Sequence, residues 1–64
     1  VRLSPAEQRV LEAFVDWDTT AQVARALHCS PATVRKHAAR VMKKLGVRSR
    51  HRAVAWGMRL GLVS

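Results

Sequence analysis

The 64-residue chain has one cysteine, no tyrosine, two prolines and three glycines. A single thiol excludes an internal disulfide and suits a reducing cytosol. One Phe and two Trp are too few for the aromatic platform on which single-stranded nucleic acids stack. Proline and glycine interrupt the chain rarely, and the abundant Ala, Arg and Leu favour helices. No period-two alternation is long enough for a strand. No apolar run approaches the roughly 18 residues that a membrane-spanning helix needs, and no signal peptide is visible. Internal repeats and low-complexity segments are absent as well.

Acid is also scarce, and it stops early. Glu7, Glu12, Asp16 and Asp18 are the only acids, so the first 24 residues carry two cations and four acids, net −2. From Arg25 onward there are ten cations and no acid, net +10. That asymmetry points to a polyanion as partner. At 48 % apolar residues, the chain is not disordered by composition. Its length makes one small domain over residues 1–64, with little room for a large substrate cavity. It opens on Val1 rather than methionine, so we expect a C-terminal piece of a larger protein.

The spacing predicts an all-α fold of four helices, at about 5–15, 20–27, 31–45 and 49–60. Ser4 caps the first, Pro5 occupies its first position and Glu7 completes a capping box. Ala6, Val10, Leu11, Phe14 and Val15 recur at spacings of three and four. Glu7 reads as a capping residue, or as a partner for a buried arginine, with Arg50 the candidate. Thr19 and Gln22 make a second capping box. Val23, Ala24 and Leu27 point inward from the helix behind it. His28-Cys29-Ser30 is a tight connection, with Cys29 filling an apolar turn position as a small hydrophobe. Two helices joined so closely, the second one basic, make the helix-turn-helix pattern.

The third helix is the stretch around which the rest is arranged. Ser30 caps it, Pro31 starts it, and Gly46 stands where a helix turns left-handed to stop. Val34, Ala38, Val41 and Leu45 share one face, while Lys36, Arg40, Lys43 and Lys44 spread over the other, with Arg35 between. No acid on this helix balances the bases, as ordinary surface pairing would supply. Such a helix suits a groove of nucleic acid. The fourth helix has Ser49 as its cap and Gly61 as its stop, with Leu62 and Val63 expected to fold back onto the core.

These residues resemble the LuxR-type output domain, also called the GerE or NarL/FixJ-type domain. The frame Leu3-Ser4-Pro5-x-Glu7-x-x-Val10-Leu11 looks like its start. Val23-Ala24, Leu27 and Ser30 match its second helix and turn. Thr33-Val34, His37 and Lys44-Leu45-Gly46-Val47 match its recognition helix and exit, and Arg50, Ala53-Val54 and Gly61-Leu62-Val63 its last helix. The chain departs from the pattern at Ala6, Trp17, Asp18, Gln22 and Ala39. Trp17 replaces a glycine between the first two helices. It reads as a packing residue in that loop, or as a contact for another domain.

The resemblance implies sequence-specific binding of duplex DNA by a bacterial transcription regulator, such as a response regulator, in the cytoplasm at the nucleoid. It implies that the third helix enters the major groove and the fourth dimerises. Carried over by position, Arg35, Lys36 and Ala39 face bases. Thr33, His37, Arg40, Lys43, Lys44 and Arg50 meet backbone phosphates. Alternatives stay open at this level. Arg35 and Lys36 alternatively read as phosphate contacts alone, Lys43 as solvated, and His37 as satisfying an internal acceptor. On the fourth helix, Ala53, Gly57 and Leu60 fall together, Trp56 lies on one flank, and Val54 with Met58 on the other. That arc of about 200° exceeds the roughly 100° that faces a single core. Val54, Trp56 and Met58 are therefore the expected dimer contacts, and the site an inverted repeat; the competing reading wraps this helix deeply under Leu62 and Val63.

Other function classes fit less well. A protein-interaction helix-turn-helix, with RNA polymerase as one partner, would show an acidic or apolar third helix. Region four of sigma factors shares the helix-turn-helix but lacks the Lys-Leu-Gly-Val exit and the fourth helix. His28, Cys29, His37 and His51 lack the spacing of a zinc site, so neither metal nor cofactor is expected. No base–nucleophile pair, glycine-rich phosphate loop or framed carboxylate pair suggests an enzyme.

Overall fold

A serine or threonine opens every helix. The computed structural model describes residues 1–63 and holds α1 (Pro5–Asp16), α2 (Thr20–Ala26), α3 (Pro31–Leu45) and α4 (Arg50–Arg59), with no strand among the described residues. The caps are Ser4, Thr19, Ser30 and Ser49, each accepting from a backbone N–H three residues on. Each satisfies one of the donors that a helix start leaves free. Both predicted capping boxes form. Ser4 N–H donates to Glu7 Oε1 at 2.9 Å, and Thr19 N–H donates to Gln22 Oε1 at 3.0 Å. Gln22 thus does the capping that a glutamate would do. The expected bounds hold to within a residue.

Three helices end alike. The backbone N–H of Cys29 returns to Ala24 O at 2.9 Å, that of Val47 to Met42 O at 3.0 Å, and that of Leu62 to Gly57 O at 2.8 Å. Each closure needs one left-handed residue just before it. Gly46 and Gly61 supply two of them, and His28, at φ 57°, supplies the third. The helix-turn-helix elbow therefore turns on a non-glycine residue. The connection after α1 needs no such residue, because Trp17 is extended at φ −123°. This is why tryptophan is tolerated in place of glycine.

Helix α3 packs against all three others. On one side Val34 and Ala38 join Val10, Ala13 and Phe14 of α1 and Val23 and Ala24 of α2, with Leu27 and Cys29 packed against them. On the other side Val41 meets Leu11 of α1 and Ala53 of α4. Leu62 and Val63 close over this second cluster as expected, and the Gln8 amide donates to Leu62 O. Gly57 lets α4 approach α1 closely: a Cβ there would stand 3.0 Å from Leu11 Cδ2 and 3.3 Å from Val63 Cγ2.

Three expected core positions lie outside. Ala6 and Val15 are exposed on α1. Leu60 is 49 % exposed, because α4 has already ended and the left-handed turn at Gly61 carries Leu62 and Val63 over the core in its place. Trp17 is 42 % exposed, beside Gln22, Arg25 and Ala26 of α2.

Candidate nucleic-acid interface

With its apolar stripe held by three helices, α3 turns its opposite side outward. Arg35, Lys36, Ala39, Arg40 and Lys43 are all exposed. By helical counting they span an arc of about 140°. Ala32 lies inside the same arc and is also exposed. Its spacing of three, four and seven residues from Arg35, Lys36 and Ala39 was readable from the sequence, but an alanine carries no chemical signal. The face thus sets two alanines among four cations.

The N-terminal edge is ordered by hydrogen bonds. Thr33 N–H donates to Ser30 Oγ at 3.2 Å, and the two hydroxyls lie 3.0 Å apart. Thr33 and His37 are half-buried along one border of the face. His37 Nδ1 is buried without a hydrogen-bond partner, so that nitrogen satisfies no internal acceptor. Contact with an outside group falls to Nε2.

Two of the cations assigned to phosphates, Lys44 and Arg50, also have partners within the protein. Lys44 Nζ donates to Glu7 Oε1 at 2.6 Å and to Arg2 O at 3.3 Å. Glu7 is 3 % exposed, the one buried charged residue among those described. Its carboxylate also accepts from Ser4 N–H, so it serves both as cap and as ion-pair partner. The partner is Lys44 and not Arg50. Arg50 reaches the other way: its Nη2 donates to Trp17 O, and its guanidinium lies 4.6 Å over the Phe14 ring. It ties the start of α4 to the α1–α2 connection. The carboxylate on α1 meets a lysine at the end of α3 and not the arginine that starts α4.

The Lys44 hydrogen bond, reinforced by Ser4 N–H, holds the Glu7 carboxyl below its ordinary value of 4.5. A carboxylate with a depressed folded-state pKa contributes stability above its unfolded value, and this is lost as pH falls through the folded one. Melting temperature should therefore drop as pH is lowered from about 4.5. In Lys44→Met the largest cause of the depression is removed and only the Ser4 hydrogen bonds still oppose the effect of burial, so the rise in stability from acid to neutral pH should shrink. Superimposable pH–melting profiles for the two proteins would show that the pair contributes nothing.

On α4, Ala53 and Gly57 are buried and Val54 half-buried, while Trp56 and Met58 are 41 % and 48 % exposed. Arg59 lies 5.5 Å over the Trp56 ring. Trp56 and Met58 stand about 160° apart by helical counting, one on each side of exposed Ala55. Among the described residues, Lys44–Glu7 is the one ion pair. No described helix is long and apolar enough to cross a membrane, and no three described metal-ligating side chains cluster.

The model of the family described as bacterial regulatory proteins, luxR family, matches residues 1–56. The chain belongs to the luxR family. The spore germination protein GerE of Bacillus subtilis (strain 168) is 41 % identical over 59 residues, which cover 92 % of this chain and 80 % of that protein. A solved structure of the transcription factor GerE has a TM-score of 0.83 at 32 % identity, covering 97 % of this chain and 92 % of that one. The four-helix all-α fold is therefore that of the GerE helix-turn-helix, as the sequence resemblance implied. This luxR-family domain binds duplex DNA sequence-specifically in transcription regulation. Its family is one of regulators.

Proposed function

We propose that this domain reads DNA with α3 lying in the major groove, as the output domain of a larger cytoplasmic regulator acting at the nucleoid. The observation that carries this is the outward face of α3, where four exposed cations surround Ala32 and Ala39 without a single acid. Arg35 and Lys36 lie in the first turns, where a recognition helix meets base edges. Both can donate to the guanine acceptors, arginine bidentately. Ala39 offers a methyl contact to thymine, and Ala32 is added beside it. Thr33, His37, Arg40 and Lys43 meet phosphates along the rims. Lys44 and Arg50 leave that set, since their charges serve Glu7, Trp17 and Phe14.

Pairing is proposed through α4. Its outward side has Met58 beside Ala55, with Val54 behind Met58; Trp56 stands on the far flank, with Arg52 at the N-terminal end and Arg59 at the C-terminal end between it and Ala55. A two-fold axis there would send two α3 helices into successive major grooves of an inverted repeat. RNA polymerase is the protein partner that such a regulator would meet, on faces that α3 leaves free.

Arg35→Ala or Lys36→Ala is expected to cost about 1–3 kcal/mol on the preferred site and less on random duplex. Sites selected from a random pool, then titrated with each variant, provide the measurement. Equal losses on both kinds of DNA would place these side chains on the backbone alone.

A further inference from the structure

The α3–α4 elbow carries a second cationic group beside the α3 face. Gly46 turns the chain, Val47 packs into the core cluster, and Arg48 comes out exposed. Ser49 caps α4, Arg50 goes inward, and Arg52 is exposed again. The two outward arginines thus bracket the one that the fold has taken. Five residues separate Arg48 from Lys43, so the elbow begins no more than about 19 Å of chain from the end of the α3 face.

Nothing on the protein neutralises this pair. The unpaired carboxylates sit on α1 and the connection after it, and Asp18 shares a surface depression with Arg50 and His51, not with Arg48 or Arg52. The two arginines are exposed, with no acid anywhere from Arg25 on. Arg59, on the same helix, is engaged over Trp56. A planar, permanently charged guanidinium suits a phosphate oxygen pair.

We propose that Arg48 and Arg52 form a second phosphate anchor on the duplex, separate from the recognition face. The proposal rests on α3 occupying the groove. The elbow then clamps the backbone that flanks the groove, and fixes how the far end of α3 is angled into it. Its effect is independent of sequence, because phosphates carry no base identity.

The test is the salt dependence of duplex binding for the whole domain, with Arg48→Gln, Arg52→Gln, the double variant and, as control, Arg25→Gln, whose side chain lies beside Trp17 and Gln22. Each elbow substitution should flatten the slope of log affinity against log salt by about 0.9 per bound domain, and the double by about 1.8. Specific and random duplexes should weaken by the same factor, and Arg48→Lys with Arg52→Lys should restore the slope. Circular dichroism melting should match the parent, since both side chains are exposed. An unchanged slope in the folded double variant would overturn the anchor. So would an equal flattening by Arg25→Gln, which would mean diffuse charge, or a loss confined to the preferred site, which would mean base reading. A parent domain whose Arg35 and Lys36 variants bind as it does would instead refute the α3 reading itself.

Discussion

Affinity for duplex DNA is expected to fall by roughly 10²-fold between 50 and 200 mM salt if one domain is bound, and by roughly 10⁴-fold if two are. The reason is the placement of charge. Arg35, Lys36, Arg40 and Lys43 are exposed on one face of α3 and have no ionic partner among the described residues. Each phosphate they neutralise releases condensed counterions, with a slope of about 0.9 per contact. Arg40 and Lys43 with the two elbow arginines give four phosphate contacts and the smaller figure, and two domains give eight and the larger. A fluorescence-anisotropy titration at several salt concentrations reads the slope directly. The same slope reports stoichiometry, because pairing through α4 doubles it. A loss under about threefold across that range would be incompatible with a charge-driven interface. Lys44 is the wrong residue for probing this. Its removal strands Glu7 in the core and mixes a folding defect with a binding defect.

Leu11→Ala is expected to destabilise the domain by about 2–5 kcal/mol. Leu11 is 0 % exposed and is among the largest fully buried side chains. It fills the space between α1 and α4 that Gly57 leaves open, with Val63 closing the third side. Three elements border the cavity, and α4 is already at the limit of its approach, so collapse around an alanine is incomplete. Whole-domain stability on the usual scale for this length is roughly 3–10 kcal/mol, so much of the population should unfold. Urea unfolding with an unchanged slope and a lower midpoint gives the number. Leu60→Ala is the contrast, because its side chain is 49 % exposed and its loss should be within about 0.5 kcal/mol. Equal losses at the two positions would contradict the packing described here.

Much of this was legible in the residues alone. Helix starts are local: a serine or threonine, then an oxygen acceptor or a proline at fixed spacing, satisfies donors within one turn. Gly46 and Gly61 are local stops for the same reason. The stripe Val34, Ala38, Val41 and Leu45 follows from helical period, and with it the identity of the outward face. The basic C-terminal portion and the joint spacing of the family motif then carried fold and function together.

What stayed hidden was the pairing of groups distant along the chain. Position on a helix says which face a lysine is on, not which carboxylate lies opposite. Lys44 and Arg50 are both cations near the end of the basic stretch, and only the crossing of α1 over α3 and α4 gives Glu7 to the first and Phe14 with Trp17 O to the second. Leu60 shared a predicted face with Ala53 and Gly57, yet α4 ends before that face continues. The sequence by itself determined the helices, their caps, the apolar stripes and the sign of the binding surface, because each depends on residues within a turn or two. Only the tertiary structure decided which cations have a partner within the protein, because that depends on where the few acids and ring faces of α1 come to rest.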